Sequence, residues 1–389
     1  MHGITRRGFL RWGCMHCALV AGAANAQQMQ GLGDWAVPPR FAAPDPASDE
    51  GGLWATMARE EQRLRRSPFM IRDNELREYL QGIACKLGAD HCPDIRVYAV
   101  RAAMFNASMA PNGMMQVWSG LLLRMENEAQ LAAVLGHEIG HFLQRHSLER
   151  LRDARVRSAF GVFMAAFGLV GAVAQLGALA GQFAYSREQE READRIGLEL
   201  MSAAGYDTRE ASKVWANLLA EAAARPGSDS SSNSVLFATH PASPERRDML
   251  AKLARPGGET REQAYQAQLR RLYPELLDDE VRRGQYDESM MLLDRLIDRQ
   301  GRRSELLYFR GEVRRLRAQD DDLDRALVDL RAATDAEGGL PQAHRGLGLL
   351  YRARNDLPNA RAAFVRYLEL APQAGDAGII KTYLDEMKS

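Results

Sequence analysis

The stretch LGHEIGHFLQRH, Leu135 to His146, sets His137 and His141 four residues apart around Glu138 in a segment that reads as one helix. On a helix two such imidazoles lie about 40° apart on one face and can reach a single point in space. Glu138 lies about 100° round from His137, which suits a carboxylate that faces an activated water without binding a metal itself. The chemistry this allows is metal-assisted hydrolysis, with Glu138 moving the proton. A hydrolytic zinc ion needs three protein ligands and an open position, so two histidines are not enough. A second helical segment, SREQEREADRIGLEL from Ser186 to Leu200, offers Glu190 and Asp194 on one face at i and i+4.

A His-Glu-x-x-His helix followed by a Glu-x-x-Ala-Asp helix resembles the M48 peptidases, a family of gluzincin-type metalloproteases. The resemblance runs from about Tyr79 to about Arg247. It takes in NASMAPNGMMQVWSGLL before the motif, YSREQEREADRIG after it, and THPASPERR at Thr239 to Arg247. It implies His137, His141 and Glu190 as ligands of one Zn2+ per chain and Glu138 as general base. Asp194 would accept from a ligand histidine and fix its tautomer. His240 would sit close to the metal; in the family's periplasmic, beta-barrel assembly-enhancing type it can take the fourth position and hold the enzyme idle. Arg246 would stabilise the oxyanion of the tetrahedral intermediate, a task His240 can also perform. Zinc is favoured over other divalent metals by the His/His/Glu set.

Other polar residues near these motifs have plainer readings. The helical wheel turns His146 away from the metal, toward a local hydrogen bond. Glu188 and Glu192 fall on solvated faces, and His91 and His344 read as surface or loop residues. An extended substrate would pair with an edge strand, and APNGMMQVW, Ala110 to Trp118, is the expected place. Met114 and Met115 serve equally well as core residues of that strand.

Several elements must hold these groups. Pro-, Gly- and Ala-rich residues 27–52 form an extended lead-in. Helices are expected at 53–66 and 74–87, strands at 95–100 and 114–118, and the motif helix from near Glu126 with Asn127 or an earlier residue as cap. Another helix follows Tyr206 to about Arg225. The run PGSDSSSNS, Pro226 to Ser234, breaks all periodicity and leads to His240, either as the hinge of a gate or as a plain loop. Between the two motif helices lies AFGVFMAAFGLVGAVAQLGALAGQ, Ala159 to Gln182. It is long enough to span a bilayer, but its Ala/Gly content and Gln175 favour a buried hairpin or a peripheral membrane contact.

The peptidase domain is placed at 53–254 and a linker at 255–261. From 262 to 389 the pattern becomes paired helices with a period: Ala326, Leu330 and Ala333 precede Ala360, Phe364 and Tyr367 by 34 residues each. GLGLLYRARNDLPNARAAFVRYLELAP resembles a tetratricopeptide repeat, and a weaker unit lies at Gly284 to Ile297. The expected fold is thus mainly α with a small β-sheet: a gluzincin-like domain, then an α-solenoid. Its concave face would bind peptides or a partner, or the repeats would only cover the peptidase cleft.

At the N-terminus, TRRGFLRW followed by CALVAGAA and ANA reads as a twin-arginine-like export signal, residues 1–26, cleaved after Ala26. A periplasmic mature chain then keeps only Cys85 and Cys92, seven residues apart, expected as a disulfide between a helix end and the next strand, with a metal site including His91 as the competing reading. Lys plus Arg and Asp plus Glu both number 51, so no net charge draws the chain to nucleic acid. The combined expectation is a zinc endopeptidase of envelope quality control. Its substrates would be unfolded or misassembled envelope proteins, with outer-membrane assembly machinery as a partner of the repeats. The alternative is a periplasmic chaperone or scaffold that works through the repeats.

Overall fold

The computed structural model describes residues 35–153, 185–224, 240, 243–301, 303–335 and 340–387. The export signal, the apolar run 159–182 and the loop 226–234 lie outside the described residues. From Pro39 onward the described residues form one compact unit. Among the described residues no helix is long and apolar enough to cross a membrane.

The first helix among the described residues, α1, spans Asp49–Arg66. It starts sooner than the Gly-Gly pair at 51–52 led us to expect. Ser48 caps it by accepting from the Gly51 N–H, and two acids fill its first turn. Gly51 is needed there: a Cβ would lie 2.1 Å from the Asp45 carbonyl oxygen, where the lead-in doubles back. Helix α2, Asn74–Gly88, is capped by Asp73 and runs into a 3-10 turn at Ala89–Asp94. Cys85 in α2 is bonded to Cys92 in that turn, just before the strand in which the second half was expected.

Three strands follow, β1 (Arg96–Val100), β2 (Ala107–Met109) and β3 (Met114–Trp118), in sheet order β1-β3-β2. The order corrects one expectation. Met114–Trp118 is the central strand, parallel to β1 and antiparallel to β2, and every residue of it is buried. Met114 and Met115 are therefore core, and the edge nearest the motif helix belongs to the three-residue β2, too short for alternation to reveal.

Helix α3 (Ser119–Arg124) leads to the motif helix α4, Glu128–Leu143, capped by Asn127. Nearly all of α4 is buried, so it lies at the centre of the domain. Helix α5 is His146–Asp153, α6 is Arg187–Ala203 with a Ser186/Gln189 capping box, α7 is Glu210–Ala223, and α8 is Pro244–Leu253, capped by Ser243. Small residues let α4 and α6 cross closely: Cβ atoms on Gly136 and Gly140 would lie 3.2 and 3.0 Å from the carbonyl oxygens of Gly197 and Ala193.

The remaining helices are α9 (Glu262–Arg270), α10 (Tyr273–Arg282), α11 (Tyr286–Gln300), α12 (Ser304–Arg317), α13 (Asp322–Thr334), α14 (Pro341–Ala353), α15 (Leu357–Leu370) and α16 (Ala377–Glu386). The 34-residue pairs match in burial: Ala326, Leu330 and Ala333 on α13, and Ala360, Phe364 and Tyr367 on α15, are all inside. These helices are joined firmly to the peptidase part. Arg124 of α3, buried, donates to Glu221 of α7 at 2.6 Å and to both oxygens of Glu280 of α10 at 2.9 and 3.1 Å. The segment 255–261 is built in as well: the Glu259 N–H donates to Gly205 O at 2.9 Å and the Ala129 N–H to Thr260 O at 3.1 Å.

Candidate metal centre

Helix α4 presents His137 and His141, α6 presents Glu190, and His240, four residues before α8, completes a buried group of four whose ligand atoms all lie within 4.8 Å of one another. His137 Nε2 is 3.1 Å from His141 Nε2 and 3.2 Å from His240 Nδ1. Glu190 Oε1 is 2.8 Å from His240 Nδ1 and 3.4 Å from His141 Nε2, and Glu190 Oε2 is 3.6 Å from His137 Nε2. Ligands about 2.0–2.1 Å from a tetrahedral zinc ion stand roughly 3.4 Å apart, so these separations are those of one coordination shell.

The outer contacts fix which nitrogens face inward. His137 Nδ1 lies 2.9 Å from Asp194 Oδ1, so this nitrogen carries the proton and Nε2 turns a bare lone pair to the cluster. His141 Nδ1 lies 2.8 Å from His146 Nδ1. If Nδ1 of His141 donates there, its Nε2 is bare too, and two lone pairs converge on a carboxylate. A metal cation relieves that arrangement, and the donor set fits zinc.

Asp194 is in turn clamped by Arg246, through Nε at 2.8 Å and Nη2 at 2.7 Å, while Arg246 Nη1 stands 2.6 Å from Glu190 Oε2. The guanidinium lies over the Trp215 ring, 4.1 Å from its centroid. Burial raises the Asp194 and Glu190 carboxyls, but charge wins: Arg246 and His137 hold Asp194 below its ordinary value, and His240, Arg246 and His137 hold Glu190 well below. Arg246 thus spends its donors on carboxylates that shape the centre. The oxyanion role expected from sequence does not suit a guanidinium so engaged.

Glu138 is buried beside the cluster. Burial is the main influence and pushes its carboxyl up, against His240 and His137, and it accepts from the Met109 backbone N–H on β2. Its Oε1 has no hydrogen-bond partner and lies 3.6 Å from His240 Nε2. A carboxylate with one oxygen fixed and the other free toward the cluster can take up a proton there.

Other expectations fare unevenly. Glu188 is exposed and Glu192 half-exposed. His91 is no surface residue: it is fully buried, edge-on to Phe41 and Phe142, because the 3-10 turn folds it inward. His146 bonds locally, as expected, and its partner is the cluster's His141. One contributor was missed. Tyr185 stacks on His141 with centroids 3.8 Å apart and planes at 22°, a contact no spacing rule would find.

Residues 70–254 match the sequence model of peptidase family M48. The mitochondrial metalloendopeptidase OMA1 of Arabidopsis thaliana is 33% identical over 156 residues, covering 40% of this chain and 31% of that protein. The putative beta-barrel assembly-enhancing protease of Vibrio cholerae is 29% identical over 174 residues, 41% of this chain and 36% of that one. The beta-barrel assembly-enhancing protease of Escherichia coli K12 is 29% identical over 178 residues, with the same shares of 41% and 36%. The chain thus spans about a third of the length of these relatives.

Proposed function

We propose, on the premise that residues 70–254 are a peptidase family M48 domain, that this protein is a zinc-dependent endopeptidase of the cell envelope that cleaves unfolded or misassembled proteins. The observation that carries the reading is the convergence of His137 Nε2, His141 Nε2, the Glu190 carboxylate and His240 Nδ1 on one buried point beside the partnerless Glu138 Oε1.

In this reading His137, His141 and Glu190 hold the zinc. The chemistry a bound zinc ion supplies is Lewis-acid polarisation and the activation of water. Glu138 takes the proton of the attacking water on Oε1 and later delivers it to the leaving amine, so no covalent intermediate is required. Met109 N–H keeps the other carboxylate oxygen in place. Asp194 and Arg246 hold His137 and Glu190 in register. His240, within reach of both Glu190 and Glu138, occupies the approach to the centre and restrains the enzyme until it swings away. An extended peptide would run along the outer edge of β2, beside the Met109 N–H that Glu138 takes, which favours flexible chains over folded domains.

Export of the chain to the periplasm is part of the proposal, supported by the Arg6-Arg7 segment. So is the reading of residues 262–389 as tetratricopeptide-like repeats that engage outer-membrane assembly machinery. The test is to purify the protein, measure its metal, and follow cleavage of an unfolded outer-membrane barrel protein by wild type, Glu138→Gln and His240→Ala. About one zinc per chain, activity lost in Glu138→Gln and raised in His240→Ala, is the expected result. Zinc-free protein, or cleavage that Glu138→Gln leaves intact, would overturn it and favour a scaffold acting through the repeats. Truncation after Pro256 is no clean alternative, since it would strip Arg124 of Glu280.

A further inference from the structure

We infer that His146 and Glu192 form a positioning relay for His141, a support for one ligand that the defining residues of the two motifs do not supply. The inference rests on the metal-centre reading above.

The relay exists because the chain turns. A continuous helix would carry His146 about 140° round from His141 and away from it. Instead α4 ends at Leu143, Arg145 takes a left-handed conformation at φ 58°, and His146 begins α5. The ring is thereby returned to His141, Nδ1 to Nδ1 at 2.8 Å, and is buried. Its other nitrogen, Nε2, lies 3.4 Å from Glu192 Oε2 on α6, the helix that also bears Glu190.

Proton counting gives the relay a direction. His141 must keep Nε2 bare to act as a ligand, so its proton is on Nδ1 and is donated to His146 Nδ1. His146 Nδ1 must then be bare, and its proton sits on Nε2, facing the Glu192 carboxylate. Each group has one task, and the ring of His141 is also held flat by Tyr185, whose hydroxyl lies 2.9 Å from Ser147 Oγ. The two ligand histidines are therefore supported unequally. His137 leans on a carboxylate locked by Arg246; His141 leans on an imidazole whose own anchor is 46% exposed. His141 is the less firmly held ligand, and His146 decides how well it is held.

The test measures zinc affinity of the full chain, by competition with a chromophoric chelator, for wild type, His146→Phe, His146→Asn and Glu192→Gln. Phe fills the space but cannot accept; Asn places an oxygen near the position of Nδ1. The expected result is about 10- to 100-fold weaker binding for His146→Phe, most of it restored in His146→Asn, and a smaller loss in Glu192→Gln. His146→Phe binding as tightly as wild type would overturn the relay. So would equal losses in the Phe and Asn variants with unchanged circular dichroism, since the acceptor would then not matter. A wild type that takes up no zinc would instead overturn the centre itself, and the relay with it.

Discussion

Gly136 and Gly197 meet where α4 crosses α6: a Cβ on Gly136 would lie 3.2 Å from the Gly197 carbonyl oxygen, and one on Gly197 would lie 3.1 Å from the His137 backbone nitrogen. The spacing of His137 and His141 from Glu190 depends on this contact, because ligands from two helices share one ion only if their backbones approach this closely. Gly197→Val forces the helices apart. Overpacking of this kind costs about 1–3 kcal/mol. The larger effect is expected in metal binding, with zinc affinity down more than about tenfold. Thermal melting and zinc titration on the same sample separate the two; unchanged affinity would show that the crossing does not set the ligand spacing.

Arg246→Lys distinguishes two roles for that residue. A lysine cannot reproduce the paired bonds to Asp194 or lie flat over Trp215. If Arg246 shapes the centre, zinc affinity drops about 10- to 100-fold. If it instead stabilised an oxyanion, kcat would fall while zinc affinity stayed at the wild-type value. The expected outcome is the first, read by zinc titration alongside steady-state kinetics.

How far the sequence disclosed this centre follows from where its information is local. The ligand pair on α4 was legible because helical geometry converts a spacing of four into a shared face, and Glu190 with Asp194 was legible for the same reason on α6. His146 makes the local bond its place implies, but its partner, His141, was not legible, because one left-handed residue, Arg145, ends the wheel and turns the ring back. His91 was misread because a 3-10 turn buries what looks like a polar loop. The glycines of the α4/α6 crossing carry no pattern distinct from ordinary helix glycines, and β2, with three residues, is too short for alternation, so Met114–Trp118 was taken for an edge. The ion cluster around Arg124 joins residues 97 and 156 positions apart, a separation that no local rule spans.

Removing the metal is expected to lower stability as well as activity. Without the cation nothing draws the imidazoles of His137 and His141 and the Glu190 carboxylate to one point, and the ion's binding free energy to the folded chain is lost. At a free zinc concentration a thousand times the dissociation constant that amounts to about 4 kcal/mol. Calorimetry with and without chelator should show a marked fall in melting temperature, reversed by zinc. A melting temperature indifferent to chelator would mean that the cluster holds no structural charge of this kind.

The link between the peptidase part and α10 should show itself in acid. Glu280 is fully buried; burial raises its carboxyl, but Arg124 and Arg283 outweigh that and hold it at about 2, against an ordinary 4.5. A carboxyl depressed in the folded state contributes stability that is present above the unfolded value and is lost as pH falls through the folded one. The window is therefore about pH 4.5 to 2, and the contribution is about 3 kcal/mol at neutral pH. Glu280→Gln removes it and leaves Arg124 with Glu221 alone. Urea unfolding at pH 7 should find the variant less stable by about that amount, and the gap between wild type and variant should narrow steadily toward pH 3. A gap that stayed constant across this range would mean that Glu280 owes its place to packing and not to its charge.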